Sequence, residues 1–556
     1  MNEMPNSVET ALVEELAALQ ARAMRAWAGR EAEGLIMLVR ALDGVAIASK
    51  LGVNEDTNVP IRRLNARYFI RIGAASALRP FLAAVRDRRD GVPWARMQKK
   101  ESDEGFAYLT ACGQIAHLLR MSRLERYGLA KTGWSEQAAR VDVPHSIPEI
   151  ALHYAMANSR LKAQASKRPF TPNRGWPRLR HRMRQYVATD PVWFIRYEND
   201  LEIVEAFRNA AIDYGADFFE AEALTDDAYI GDRTYAEWKL ACHQALGRIL
   251  CHVEFCRLLR FKEPKLGLGN LATIFARRED VEAVWRQAGL LPERVEATMS
   301  ALSLSIENVG EWEQAFELPC HFYVDLGRDF VLLPCFGALS NPYVALFRHL
   351  RSVYKTDWDR SVDRRELVFR ADLSSVFRTP RFHIPTHGFK LRRADRSLIT
   401  DLDAVIVDKA TGSVALIQLK WHDLFGHSLS ERESRRRNLL HANRWVSQVT
   451  EWAGGRSSTE ICAELGIDSP PCNAPPLLFV VTRYAARFTG ERDQDARAAW
   501  MSWFEIVHLF DSLESNDPLR DLPHRVQAHE DTMREPKAMS ERFKFSSLTV
   551  DLTVNP

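Results

Sequence analysis

With 556 residues, 46% of them hydrophobic, and a net charge of only +2, the chain is long enough for about two to four domains, and its balance excludes wholesale disorder and a global basic field. Residues 1–15 are polar and acidic, and no stretch approaches the roughly 20 apolar residues of a membrane span, so a cytoplasmic protein without a membrane partner is expected. The eight cysteines are scattered without a CxxC pair, which excludes a zinc ribbon and a disulfide framework and fits a reducing compartment.

From Ser7 onward the apolar spacing reads as helix after helix. Leu12, Leu16 and Leu19 begin the first, and residues 31–51 continue to a Leu51-Gly52 end. Further helices are expected over residues 61–86, 104–127, 147–161, 200–223, 235–261, 281–288 and 292–303. Cys251 and Cys256 are spaced five apart on a helix and read as core residues rather than zinc ligands. Gly267-Leu268-Gly269 lacks a preceding strand and a third glycine, so it reads as a turn.

One segment interrupts the helices. Residues 160–184 hold nine Lys or Arg, no acid, three prolines, and the aromatics Phe170 and Trp176. The prolines predict an extended loop in its middle. Arg174, Arg178, Arg180 and Arg182, interleaved with aromatics, suit a phosphate backbone with unstacked bases; pairing with the acidic stretch 198–227 is the open alternative.

Residues 321–333 predict a hairpin turning at 325–328, followed by helices over 343–354 and 357–377 and by one or more strands in 381–393. Two β-branched runs, 404–407 and 414–419, then flank Asp408-Lys409-Ala410-Thr411-Gly412, a second hairpin. Period-two alternation sets Asp401 and Asp403 on one face and Gln418 and Lys420 on one face of the partner strand. Both strands are otherwise apolar, so these polar groups need compensation. A divalent cation supplies it: Asp403 offers an anionic oxygen, Gln418 a neutral one, the Leu419 carbonyl a third, and Lys420 stands beside them. A structural Asp–Lys ion pair is the plain alternative.

Beyond the hairpin, residues 431–454 predict a helix with Arg435 and Arg436 near its start and an apolar stripe through Trp445, Val449 and Trp452. A strand over 477–482, a helix over 494–502 and a strand over 505–510 are expected next, then a polar tail with a strand-like Leu548-Thr549-Val550.

The stretch from Asp403 to Gln418-Leu419-Lys420 resembles the core of the PD-(D/E)XK nuclease superfamily, in the Gln-x-Lys form seen in Mrr-type restriction endonucleases. Leu402 stands where the name-giving Pro would be, and Gln418 replaces the acid. The resemblance covers roughly residues 357–513 and implies an α-β-β-β-α-β core. It implies that Asp403 and Gln418 hold Mg²⁺ or Mn²⁺, with Asp401 in reserve, that Glu366 on the first core helix reaches metal or water, and that Lys420 orients the attacking water. Lys390, Arg392 and Arg393 are then available for DNA phosphates, and Gln448, four residues before Trp452, resembles the Gln of a Gln-x-x-x-Tyr helix in some branches.

The expected architecture is an irregular α-helical region over residues 1–317 that binds substrate or a protein partner, a connecting hairpin and helix over 318–356, a restriction-endonuclease-like α/β domain with a mixed central sheet over 357–513, and a tail over 514–556. The expected function is metal-dependent hydrolysis of phosphodiesters, DNA first, in bacterial antiviral defence or DNA repair. A nuclease fold that has lost catalysis and serves as a binding scaffold is the rival.

Overall fold

A computed structural model describes residues 7–50, 61–89, 98–135, 137–144, 175–189, 195–216, 218–264, 266, 268–315, 318–422, 428–484, 486, 494–533 and 539–555. The expected helix over 147–161, the middle of the basic segment and Arg174 lie outside these residues. The chain is mixed α and β and divides into two compact units: residues 1–142, 161–358 and 540–552 form the first, and residues 143–160, 359–539 and 553–556 the second.

The first unit is built on the long helices Glu31–Lys50, Ile61–Val85 and Lys99–Arg123, which bury Leu35, Val39, Leu78, Phe81 and Leu109 against one another. One window, Arg67–Val85, is long and apolar enough to cross a membrane by length and composition, and most of it is buried within the fold. The helix Tyr235–Lys262 starts on a capping box, in which the Thr234 hydroxyl accepts from the Glu237 amide and the Glu237 carboxylate accepts from the Thr234 amide. Cys251 and Cys256 on that helix are buried, as their spacing implies.

The region is not purely helical. The expected hairpin forms from Tyr323–Asp325 and Phe330–Leu333, and it belongs to a four-stranded sheet with Ile274–Arg277 and Ser303–Leu304. The carboxy-terminal tail also folds: Met539–Lys544 and Thr549–Val554 complete a second four-stranded sheet with Lys131–Trp134 and Ala139–Val143. The alternating burial of Phe543, Val550 and Leu552 is the period-two signal behind those strands.

The basic segment departs from an extended loop at its carboxy-terminal end. Trp176–Tyr186 is a helix, not a loop, because Pro177 sits in its first turn, where its missing N–H costs nothing, and Leu179 and Met183 are spaced to bury one face. Arg180 pairs with Glu254 at 2.9 Å, and Arg182 with Asp200 at 2.8 Å and Glu202 at 2.7 Å. Arg178 is exposed.

In the second unit a five-stranded mixed sheet runs in the order Phe382–His383, Ala404–Asp408, Val414–Lys420, Leu477–Thr482, Ala499–Ser502. The first three are antiparallel and the last two parallel to Val414–Lys420. One face packs under the helices Leu429–Leu440, Ala442–Ala453 and Ser458–Leu465, joining Val405, Val407, Leu416 and Val480 to Trp445, Val449 and Ile461. Gly412 at φ +73° closes the hairpin turn.

Four readings change here. Residues 357–377 are two helices, Lys355–Val362 and Arg365–Val376. The expected helix over 431–454 breaks at His441, where the Arg444 amide bonds the His441 carbonyl three residues back. The expected helix over 494–502 and strand over 505–510 exchange identities: Ala499–Ser502 is the edge strand, and Trp503–Leu509 is a helix. A capping box between Ser502 and Glu505 starts that helix, and Ile506 and Leu509, three apart, bury its face, so the β-prone composition is overridden. Pro518–Met533 is a further helix in the tail, buried through Leu519, Leu522 and Val526. Asp517-Pro518 is its legible start, because the Asp517 carboxylate accepts from the Arg520 amide at 3.3 Å.

Candidate active site

Asp403 lies at the bend between two strands, Leu398–Leu402 and Ala404–Asp408. The first belongs to a two-stranded ribbon with Phe389–Arg392, and the second enters the five-stranded sheet. The Trp445 indole N–H donates to the Asp401 carbonyl at 2.7 Å, and the Arg370 Nε–H donates to the Asp403 carbonyl, which anchors the bend from two helices. Gly388 makes the close approach possible, because a Cβ there would stand 2.5 Å from the Leu402 carbonyl oxygen.

The hairpin register pairs Ala404 with Ile417, so one residue further Asp403 faces Gln418. The expected convergence of those two residues is therefore present. One Asp403 carboxylate oxygen accepts from the Gln418 side-chain amide and from the Leu419 backbone amide at 2.7 Å. The Leu419 group that meets Asp403 is thus its N–H, whereas its carbonyl was the expected ligand. Two donors on one oxygen hold the carboxylate in place and leave the other oxygen without a bond from either.

Asp403 is 4% exposed. Burial and then the neighbouring Glu366 carboxylate push its pKa up to about 6, against the pull of the Leu419 amide and Lys420. Glu366, at the start of Arg365–Val376, is exposed as a residue. Its carboxyl is nonetheless raised above the ordinary range by the protein packed around it, then drawn down by Lys420 and raised by Asp401. Glu366, Asp401, Asp403 and Lys420 thus share one local field, to which Arg370 adds a second cation and Asp363 a further acid. Lys420 is partly buried, and its backbone carbonyl accepts from the Arg483 amide at 2.8 Å, which ties this end of the strand to Leu477–Thr482.

The cationic residues separate. Lys390, Arg392 and Arg393 are all exposed on the ribbon that leads into Asp403, and Lys390 stands opposite Asp401 across it. Arg435 is buried, and Arg436 pairs with Glu433 at 2.8 Å. Gln448 is half-buried on Ala442–Ala453.

Among the described residues no three His, Cys, Asp or Glu side chains already converge as a metal cage. The donor chemistry still fits a hard divalent ion: a buried carboxylate, a second carboxylate that raises its pKa, and an amide side chain hydrogen-bonded to the first. A cation would relieve the repulsion between Asp403 and Glu366. It would also favour turning the Gln418 amide so that its oxygen rather than its NH₂ faces the ion.

Sequence reasoning missed the opposite end of the same strand. Asp408, fully buried, is held by the Arg381 guanidinium at 2.8 Å and by the Ala410 amide at 2.9 Å. It also missed the Gly388 and Arg370 supports of the bend. Arg381 and Asp408 are 27 residues apart, and no local pattern joins them. Comparison with known proteins returns no matching family model, no matching curated protein and no matching solved structure.

Proposed function

We propose that the chain is a metal-dependent nuclease of the PD-(D/E)XK type acting on DNA, with Asp403 and Gln418 as its centre. The observation that carries this reading is the buried Asp403 carboxylate, raised to about 6 by burial and Glu366, lying opposite Gln418 at a strand bend. The order of elements supports it: the helix Arg365–Val376, three antiparallel strands, a helical layer, then the parallel strand Leu477–Thr482.

In this reading Asp403, with Glu366 and the Gln418 oxygen, would hold Mg²⁺ or Mn²⁺, and Asp401 is the reserve carboxylate. When bound, the ion would supply Lewis-acid polarisation of the phosphoryl group. The chain's own residues do the rest. The Leu419 amide fixes one Asp403 oxygen, so the other is aimed without a search of rotamers. Lys420, on the Gln418 face of the strand two residues on, orients the attacking water and offsets the negative charge that grows on the phosphoryl oxygens. Lys390, Arg392 and Arg393 track the backbone on the ribbon leading into the site.

A second reading has an observation of its own. The Gln418 amide N–H and the Leu419 N–H together satisfy an Asp403 oxygen without a metal, as a binding scaffold on a nuclease fold would require. Incubating the purified chain with plasmid, linear, single-stranded DNA and RNA substrates in Mg²⁺, Mn²⁺ or EDTA separates the two. Cleavage that needs the divalent ion is expected; binding with no cleavage in either metal would favour the scaffold.

A further inference from the structure

The two-stranded ribbon of the second unit, Phe389–Arg392 against Leu398–Leu402, has a fixed base and an open tip. Leu391 and Leu402 are buried in the core under the helical layer, with Phe389 and Ile399 packed against it, whereas every residue from Arg392 to Leu398 is exposed. Two backbone bonds close the turn: the Arg393 amide donates to the Ser397 carbonyl at 2.9 Å, and the Arg396 amide to the Arg393 carbonyl at 2.8 Å.

The arginines of the tip are not equivalent. The Arg392 Nη1–H donates to the Arg396 carbonyl at 2.8 Å and the Arg393 Nη1–H to the Ser397 hydroxyl at 3.3 Å, so both guanidiniums lie along the ribbon. The Arg396 side chain makes no hydrogen bond or ion pair among the described residues. Arg396 is also, among those residues and glycines aside, alone in having a positive φ, +68°. Glycine or asparagine holds that conformation at less cost, so the turn itself does not account for an arginine there.

The tip, residues 392–398, carries three arginines and one acid, Asp395. Asp395 accepts from the Ser397 amide at 2.9 Å and meets Arg393 only through its field. Lys390 adds a cation at the base, where it stands opposite Asp401. Leu398, 53% exposed, stands opposite Arg392 across the ribbon. A two-stranded antiparallel ribbon fits the major groove of B-form DNA, about 12 Å wide, and is shut out of the deep, narrow major groove of A-form RNA. The fork of an arginine matches the O6 and N7 acceptors that guanine shows in that groove, and an exposed leucine suits a thymine methyl group.

We infer that the ribbon tip enters the major groove of duplex DNA and that Arg396 reads guanine there, with Arg392 and Arg393 on the flanking phosphates. The inference rests on the DNA substrate proposed above, and not on cleavage.

Selection from a pool of DNA duplexes with random centres, bound by the full-length protein in EDTA and sequenced, tests it. The parent is expected to enrich guanine at a fixed position at least fivefold over the other bases. In the enriched duplex, 7-deazaguanine at that position replaces only the N7 acceptor and should weaken binding about fivefold by fluorescence anisotropy, and an RNA duplex of the same sequence should bind at least tenfold more weakly. Arg396→Gly relieves the positive φ and so preserves the turn; it should lose both the guanine preference and the response to 7-deazaguanine, whereas Arg392→Gln should weaken all sequences alike. No enriched guanine, an unchanged preference in Arg396→Gly, indifference to 7-deazaguanine, or equal binding of duplex RNA would each overturn the assignment. Because binding is read without a metal, a guanine preference in a chain that cleaves nothing would keep the ribbon's role and sink the nuclease, and metal-dependent cleavage without the preference would do the reverse.

Discussion

The strand Ala404–Asp408 and the bend before it carry two buried aspartates that solve the same physical problem in opposite ways. Asp408 is fully buried and meets a guanidinium in a two-point ion pair, an arrangement that completes its charge within the protein. Asp403 is nearly as buried, but it meets neutral donors and a neighbouring carboxylate, and it is left with a raised pKa. The strand alone does not distinguish them, since both adjoin the same apolar run, residues 404–407. What differs is the partner brought from elsewhere: Arg381 in one case, Glu366 in the other. A buried carboxylate whose surroundings raise its pKa is maintained at a cost to stability, a cost that functional sites tolerate.

The comparison breaks most sharply under substitution of the site itself. Asp403→Ala and Lys420→Ala are each expected to lower cleavage about a hundredfold or more while the far-UV spectrum is unchanged. Wild-type cleavage by either variant would remove Asp403 and Lys420 from the chemistry. Next in size are the changes at Gln418. Leu at this position removes the oxygen at similar volume and should abolish cleavage, whereas Gln418→Glu should keep cleavage and tighten metal binding, read as a lower Mn²⁺ concentration at half-maximal rate. If Leu is tolerated, Gln418 is no ligand.

Asp408→Ala should show the contrary pattern. Loss of a buried partner leaves the Arg381 guanidinium uncompensated, but Arg381 is itself partly exposed, so a loss of about 2–3 kcal/mol by urea denaturation is expected, with cleavage per folded molecule unchanged. A specific loss of cleavage in the folded protein would erase the distinction between the two ends of the strand.

The pH dependence of stability sharpens it further. The folded pKa of Asp403, about 6, lies above its ordinary value of 3.8, so its contribution is fully present below about pH 4 and is lost as pH rises through 6. Asp403→Asn removes that loss and should stabilise the metal-free protein at pH 7 by about 1–3 kcal/mol, with the advantage vanishing towards pH 4. Mn²⁺ should raise the unfolding temperature of the parent and not of the variant. An equal pH profile for both proteins would mean that Asp403 carries no penalty. The smallest expected effect lies on the ribbon: reversing the charge of Lys390, Arg392 or Arg393 should each lower the salt slope of duplex DNA binding by about 0.9. An unchanged slope would remove the ribbon from the DNA path.

The hairpin 404–420 was legible because its signals are local: two apolar β-branched runs, an Asp-to-Gly turn, and alternation that sets Asp403 and Gln418 on facing sides. The long amphipathic helices of the first unit were legible for the same reason. The exchange of strand and helix around residues 499–509 shows where local reading fails, because the composition of Trp503–Leu509 favours a strand and only its cap and its buried face make it a helix. The basic helix Trp176–Tyr186 fails similarly, since proline in a first turn and proline in a loop look alike until Leu179 and Met183 find a core.

By itself, then, the sequence determined which residues could face one another across a turn, since that follows from a period of two and a few φ preferences. Tertiary structure alone decided which of two buried aspartates is neutralised. Arg381 reaches Asp408 over 27 residues, Arg370 and Gly388 support the bend at Asp403 from distant segments, and Glu366 raises the Asp403 pKa from a separate helix. Charge compensation in a buried site depends on groups that only folding brings within a few ångströms, and no periodicity along the chain encodes that distance.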